Sequence, residues 1–292
     1  MNLISRQIPG SSASQDRRVW VEIFWHLALL CLLFAPVLKF MAYEWLHDDD
    51  MGHGVLVPLV AGWVAWQKRR ELAQTPRKPC YWGLVVVMAG FLQLMAGTLG
   101  VELFVARTAF VVMLAGVIIT VWGPAVFRIL LFPWFLLFFM IRIPAVLFNQ
   151  ITFPLQLLAS QVAETVLSAI GIPVFREGNI LELPSQRLSV VEACSGIRSL
   201  LSLTFLSLVY GFFFEKKPWI RAVLFFSTVP IAIAANAFRV TITGVLSEVR
   251  REWAEGFFHS VEGWVVFMVA LCLMVLVHRW LLGILRYAHG RG

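Results

Sequence analysis

Three side chains that could together carry out acyl transfer stand near the ends of apolar segments in the C-terminal half of the chain. They are Cys194, Arg239 and His259. A thiol becomes a strong nucleophile when a nearby histidine takes its proton, and that histidine can later protonate the leaving amine. A fixed arginine can stabilise the negative charge that develops on an attacked carbonyl. The three residue types therefore predict a thiol-peptidase site, provided that the fold brings them together.

The segment around Cys194 is polar, contains glycine and comes directly before a long apolar run. Glu192, Ser195, Gly196 and Arg198 lie within four residues of the thiol. The start of a helix favours anions, including a thiolate, and Arg198 could add to this effect. The other cysteines lie in apolar runs or at a loop edge and are expected to be small buried hydrophobes or spectators: Cys31, Cys80 and Cys272.

The arginine and the histidine each have polar neighbours at helical spacing. Asn236 lies three residues before Arg239, so one helix face carries both. Glu262 lies three residues after His259. The alternative interpretations are an arginine that extends to lipid headgroups and an interfacial histidine. Asn236 and Glu262 are candidate supporting residues.

His53 is a further supporting candidate, and it follows the acidic run 48–50. A metal site made from His53, an aspartate and His259 is an alternative, but the spacing matches no familiar zinc pattern. The sequence therefore predicts neither a metal nor a cofactor.

The composition is that of a membrane protein. Hydrophobic residues make up 60% of the chain and charged residues only 14%, whereas a soluble domain is nearer half apolar and a quarter charged. The net charge of +7 does not indicate nucleic-acid binding, because the basic residues cluster in short segments between apolar runs. Residues 1–19 lack the apolar core of a signal peptide and are expected to form a cytoplasmic tail.

Apolar runs long enough to cross a bilayer predict an all-α integral membrane protein with about eight transmembrane helices. The predicted spans are 20–42, 53–67, 81–99, 103–122, 125–142, 196–214, 219–243 and 259–284. The run 144–170 is interrupted by polar residues and predicts a helix that lies in the interface or packs against the bundle. Turn signals and short β-rich runs predict a small extracytoplasmic β-hairpin at 172–192.

We expect one multi-pass domain over 1–292, with N-terminal spans in 20–171 and the catalytic spans in 193–284. The basic N-terminal tail and the 67–80 loop are expected inside, and the acidic 43–52 segment outside. Arg142 then falls on the outer side, and the sequence offers no reason for a charge there. In this topology three spans of alternating direction place Cys194, Arg239 and His259 at the same outer level of the membrane.

Several of these segments resemble the bacterial exosortases, in the exosortase and archaeosortase family. The similarity lies in the runs 178–200, 236–240 and 259–264, and more weakly in 154–160 and in His53-Gly54. The resemblance covers most of the chain from about 48 to 268. The family's proposed catalytic cysteine, arginine and histidine fall on Cys194, Arg239 and His259.

The resemblance implies a multi-pass protein of the bacterial inner membrane whose active site faces the periplasm. It implies a cysteine transpeptidase that cleaves, through a thioester, secreted proteins with a C-terminal Pro-Glu-Pro (PEP-CTERM) motif, a single span and a basic tail. This processing accompanies exopolysaccharide production. The expected partners are such substrates and membrane lipids, and no nucleic acid.

Two other functions stay open at this point. One is a membrane acyltransferase that passes an acyl group through Cys194. The other is a non-enzymatic polysaccharide-export scaffold or transporter, which should carry charged residues through the full depth of its spans. The midplanes of 196–214 and 259–284 are nearly all apolar, which disfavours the second alternative.

Overall fold

Helices make up most of the chain in the computed structural model, which describes residues 10–189, 196–249 and 257–289. The chain divides into two compact units, Met1–Arg142 and Ile143–Gly292. The expectation of a single multi-pass domain stays a prediction.

The first unit is helical throughout its described part. Its helices are α1 (Gly10–Leu33), α2 (Ala35–His47), α3 (Leu56–Gln67), α4 (Arg69–Gln74), α5 (Trp82–Leu99), α6 (Leu103–Val121) and α7 (Pro124–Leu136), with 3₁₀ helices at Asp49–Val55 and Leu137–Met140. The predicted span 20–42 is bent, since α1 and α2 meet at an angle of 82°. Pro36 lies in the first turn of α2, where its missing N–H and its ring interrupt the ladder of a continuous helix.

The α5–α6 pair is held by close backbone packing. Gly83, Gly90 and Gly97 recur every seven residues along α5. A Cβ at Gly97 would lie 2.8 Å from the Cα of Ala106, and one at Gly90 would lie 3.1 Å from the backbone nitrogen of Met113. Small residues at such contacts let two membrane helices approach closely.

Two ion pairs in the first unit join residues that are far apart in the sequence. Arg107 Nη2 donates to Glu44 Oε1 at 2.8 Å, and the two side chains are only 3% and 16% exposed. Arg142, whose charge has no explanation in the sequence alone, pairs with Asp48. The acidic segment after α2 therefore supplies the counter-ion for Arg142.

The second unit contains long helices and one small sheet. Its elements are α8 (Ala145–Ala169), β1 (Phe175–Glu177), β2 (Ile180–Glu182), β3 (Arg187–Ser189), α9 (Gly196–Phe214), α10 (Pro218–Val249) and α11 (Phe257–His289). The helix predicted at 144–170 is thus present, and it packs against α10.

The predicted hairpin is part of a three-stranded antiparallel sheet of order β1-β2-β3. Phe175 pairs with Glu182, and Leu181 pairs with Leu188. Gly178 has φ +64° in the β1–β2 turn, a conformation that glycine adopts without strain. The buried side chains of the sheet pack on α8 and α10 in one apolar cluster: Leu181, Leu183 and Leu188 with Ala163, Leu167 and Val240.

The membrane character of the fold is clear from its apolar helices. In the described part of the chain, four helices are long and apolar enough to cross a bilayer: α5, α6, α10 and α11. The number rises to six if α1–α2 and α7–α8, with the 3₁₀ helix after α7, each count as one bent span. The helix at the predicted span 53–67 has only 12 residues, or about 18 Å of rise. The count of eight spans stays a prediction.

Candidate functional site

Arg239 lies on α10, ten residues before the last described residue of that helix, Val249. The side chain is half-buried, and its backbone carbonyl accepts a hydrogen bond from Thr243 Oγ1 at 3.0 Å. Asn236 and Thr243 are 8% and 5% exposed. The polar helix face predicted from the spacing of these residues is therefore turned into the protein rather than toward lipid.

The three helices α9, α10 and α11 share an apolar core, and two polar contacts fix their register. The core contains Leu203 of α9, residues of α10 and residues of α11: Ile231, Ala235, Val266, Ala270 and Met274. Thr204 and Thr228 hydroxyls lie 3.3 Å apart between α9 and α10. Tyr210 Oη lies 2.9 Å from His278 Nδ1 between α9 and α11.

The register shows which parts of these helices lie at one level. Eight residues back from Thr204 is Gly196, the start of α9, and eight residues on from Thr228 is Asn236. Fourteen residues back from Tyr210 and from His278 are Gly196 and Trp264. Because all helices rise about 1.5 Å per residue, Asn236 and Trp264 lie near the level of the first turn of α9.

The predicted catalytic residues are all close to this level in sequence. Arg239 is three residues beyond Asn236, His259 is five residues before Trp264 in the first turn of α11, and Cys194 is two residues before Gly196. Cys194 lies outside the described residues, and so do Glu192 and Ser195. Gly196 and Arg198 belong to the first turn of α9, and Glu262 to the second turn of α11. The fold thus brings to one level three helix segments that lie within five residues of the predicted catalytic residues, and among these residues the structure describes the side chain of Arg239.

A buried polar seam on α8 faces the same level of α10. Thr152, Gln156 and Ser160 recur every four residues and are 4%, 8% and 0% exposed. Thr152 and Gln156 line a small cavity of about 20 Å³ together with Asn236, which is large enough for roughly one water molecule. Ser160 Oγ donates to the Gly178 carbonyl at 3.3 Å, so the seam also joins α8 to the sheet.

Sequence reasoning did not assign Thr152 or Gln156 to the site. The feature of the sequence that could have identified them is their spacing of four residues, which puts both on one helix face. The helix was expected either in the interface or packed against the bundle, without a prediction of which face turns inward. Gln156 Oε1 accepts a hydrogen bond from Asn179 Nδ2 at 3.4 Å.

His53, the remaining supporting candidate, lies in the first unit. Its Nε2–H donates to the Phe139 carbonyl at 3.1 Å, and its Nδ1 is buried without a partner among the described residues. The described hydrogen bond of His53 therefore joins the two 3₁₀ helices of the first unit.

The acidic residues near His53 have other roles. Asp48 pairs with Arg142 and also caps the 3₁₀ helix by accepting from Asp50 N at 2.9 Å. In the part of the chain that the structure describes, no group of three or more His, Cys, Asp or Glu lies close enough to hold a metal ion.

A second polar cluster lies at the opposite end of the three-helix group. Glu215 and His278 are 8% and 4% exposed, and Glu215 Oε2 lies 3.4 Å from His278 Nε2. Glu215 Oε1 accepts from the backbone N–H groups of Lys216 and Lys217 at 2.7 and 2.8 Å. The bond from Lys217 is the largest cause of a lowered pKa of Glu215, which the bonds to His278 and Lys216 also lower.

A comparison with known families gives a match over most of the chain. The profile of the transmembrane exosortases (Exosortase_EpsH) matches residues 45–276, a range that includes Cys194, Arg239 and His259. No curated protein and no solved structure matches the chain significantly.

Proposed function

Since the chain belongs to the transmembrane exosortase family, we propose that it is a membrane cysteine transpeptidase acting through Cys194, His259 and Arg239. Its substrates are secreted proteins with a C-terminal Pro-Glu-Pro motif, a single span and a basic tail. The enzyme sits in the bacterial inner membrane as about eight spans, with the site facing the periplasm, and it serves exopolysaccharide export.

The observation that carries this proposal is the register of α9, α10 and α11. Three helices of alternating direction bring the start of α9, Asn236 of α10 and Trp264 of α11 to one level, and each of these positions lies within five residues of one proposed catalytic residue. Cys194 directly precedes α9, whose N-terminal end carries a partial positive charge that favours a thiolate. The half-buried position of Arg239 is suited to holding a fixed cation beside a developing oxyanion.

The reaction has two steps. His259 accepts the thiol proton, and the Cys194 sulfur attacks the carbonyl carbon of the scissile peptide bond. Arg239 stabilises the negative oxygen of the tetrahedral intermediate, the carbon–nitrogen bond breaks, and His259 protonates the leaving amine. An acceptor nucleophile then gives its proton to His259 and attacks the thioester, and the thiol is restored. Glu192, Ser195, Gly196, Arg198, Asn236 and Glu262 support this site.

The substrate's own span docks laterally against the helices, so that the membrane plane sets the height of the scissile bond. Positioning of this kind supplies much of the advantage of an intramolecular reaction.

The test is co-expression with a tagged secreted protein that carries a Pro-Glu-Pro tail. Wild-type protein should yield a cleaved product, and Cys194→Ala should abolish cleavage while membrane insertion is unchanged. Cys272→Ala is the matched control, because Cys272 is an exposed thiol on α11 and should keep full activity. Continued cleavage by Cys194→Ala would remove the mechanism.

Mass spectrometry of the trapped Cys194 adduct separates the proposed reaction from acyl transfer. A peptide adduct supports the transpeptidase, whereas a fatty acyl adduct supports the acyltransferase.

A further inference from the structure

A wide cleft opens on the first unit, far in sequence from the triad. It has a volume of about 820 Å³ and is lined by α1, α4, α6 and α7, the end of α3 and the segment that follows α4. Its length is about 12 Å along α6, from Leu114 to Trp122, at the usual helical rise. The cleft is therefore large enough for much of a lipid molecule but is not part of the proposed catalytic mechanism.

The floor of the cleft is apolar. Ile118, Trp122 and Val126 form a buried cluster there, with Leu114 and Leu130 packed against it. His26 of α1 contacts the Trp122 ring edge-on, with the ring centroids 5.4 Å apart. A small hydrated ion gains nothing from such a floor, whereas an acyl chain buries apolar surface on it.

The mouth of the cleft is basic. Arg69, Arg70 and Arg77 all line it, and all three are exposed. Among the described residues, the ion pair of Arg77 is a long one with Glu22, at 3.8 Å. Within the described residues Arg70 makes no hydrogen bond or ion pair, so at least two guanidinium groups are available to an incoming anion.

An aromatic side chain lies beside the basic mouth. Trp66 lines the cleft and is half exposed, and the guanidinium carbon of Arg69 lies 4.9 Å from the centre of its ring. Tryptophan is enriched at the level of lipid headgroups. The lining thus combines guanidinium, indole and aliphatic groups, which suit the phosphate, glycerol and acyl parts of a phospholipid.

We propose that this cleft binds one anionic phospholipid, with the headgroup against Arg69, Arg70 and Arg77 and an acyl chain along the floor. Guanidinium groups bind phosphate oxygens in a bidentate manner, and basic pockets between membrane helices bind anionic headgroups. The basic tail of a substrate is a poor occupant, because three arginines would repel it. The site is independent of the proposed transpeptidase reaction.

The experiment is native mass spectrometry of the full chain, purified in a neutral detergent and titrated with phosphatidylglycerol or with phosphatidylcholine of the same acyl chains. Wild-type protein should retain one phosphatidylglycerol at concentrations where phosphatidylcholine binding is at least tenfold weaker. Combined Arg69→Gln, Arg70→Gln and Arg77→Gln should weaken phosphatidylglycerol binding at least tenfold and leave phosphatidylcholine binding unchanged.

Three control variants make the result specific. Combined Lys216→Gln, Arg279→Gln and Arg286→Gln removes the same charge from exposed positions of the second unit and should keep the affinity. Ala73→Trp fills the cleft without changing its charge and should abolish binding. Arg70→Gln alone disturbs no contact among the described residues, so its loss of binding cannot be attributed to misfolding.

Three outcomes would overturn the proposal. An equal loss of phosphatidylglycerol affinity in the triple variant of the second unit would indicate a general surface-charge effect. Equal affinity for phosphatidylcholine would indicate apolar adsorption. Full displacement of the lipid by inorganic phosphate would indicate a site for a soluble anion.

Discussion

The contact between Trp45 and Gly54 gives the sharpest test of how side chains pack in the first unit. A Cβ at position 54 would lie 2.9 Å from Trp45 Cγ and closer still to Cδ1, well inside ordinary van der Waals contact. The indole is itself fixed, because Trp45 Nε1 donates to the Met140 carbonyl at 2.9 Å. Gly54→Ala must therefore push the ring away from its position and break this hydrogen bond.

The expected cost follows from these two effects. Overpacking by one methyl group costs about 1–3 kcal/mol, and a lost hydrogen bond costs about 1 kcal/mol. A destabilisation of about 2–4 kcal/mol should lower the midpoint of thermal unfolding in detergent by roughly 5 °C or more. Gly62→Ala is the matched control, because a Cβ there meets nothing within 4 Å and alanine favours the helix by about 0.5–1 kcal/mol.

A second substitution checks the cause. Trp45→Leu removes the indole, so adding Gly54→Ala to it should cost much less than Gly54→Ala costs in the wild-type protein. The reasoning is refuted if Gly54→Ala unfolds at the same temperature as Gly62→Ala, or if the two substitutions are additive.

Three further predictions concern buried charges and close helix packing. Arg107→Leu leaves Glu44 largely buried without its counter-ion and should destabilise the protein by roughly 3 kcal/mol or more; adding Glu44→Leu should recover part of this loss, and additive losses in the unfolding measurements would contradict the pairing. Glu215→Gln should cost roughly 1–3 kcal/mol at pH 7. Because the folded-state pKa of Glu215 is lowered from 4.5, its stabilisation is present above pH 4.5 and lost as the pH falls through the lowered pKa; unfolding scans of the variant and wild type should converge at low pH, and a deficit that is constant with pH would exclude this account. Gly97→Ala directs a Cβ at the Ala106 backbone and should destabilise the α5–α6 pair by about 1–3 kcal/mol, and a variant as stable as Gly62→Ala in the same scan would contradict it.

Uninterrupted apolar runs could be read from the sequence almost to the residue. The spans predicted at 81–99 and 103–122 are α5 (Trp82–Leu99) and α6 (Leu103–Val121). Such runs are bounded by glycine, proline or charged residues on both sides, so that the local sequence alone defines the helix. The bend within the predicted span 20–42 could not be predicted, because the sequence is apolar on both sides of Pro36.

Long-range partners could not be predicted. Glu44 and Arg107 are 63 positions apart, and Arg142 and Asp48 are 94 positions apart. The sequence shows only that each of these four residues is charged. Which charges meet is determined by the packing of α2 against α6 and by the 3₁₀ segments. The same holds for the Glu215–His278 contact between the end of α9 and α11.

The candidate site was predictable to the level of its helix ends. The positive-inside rule and a constant rise per residue put Arg239 at the outer boundary, level with Cys194. The register of α10 with α9 puts Arg239 near the level of the first turn of α9, while Cys194 itself lies outside the described residues. The sequence did not show that α10 continues ten residues past Arg239 to Val249. It also did not show that α8 contributes buried polar groups beside Asn236, because that requires knowing which face of α8 packs inward.

The two polar ends of the three-helix group bear on whether the protein could be a transporter. Asn236 and Arg239 lie at one end of α10, and Arg221, which donates to the Glu215 carbonyl at 2.8 Å, lies near the other. Asn236 and Arg221 are fifteen residues apart, or about 22 Å of helix. Between them the described interior contains mainly aliphatic side chains, with the uncharged Thr204–Thr228 pair, Ser207 and Tyr210 as its polar groups on α9 and α10. A polar solute or a proton would have to cross this apolar layer, in which a charge is costly. An arrangement with separate polar ends suits chemistry at one membrane surface, which is what a transpeptidase acting on membrane-anchored tails requires.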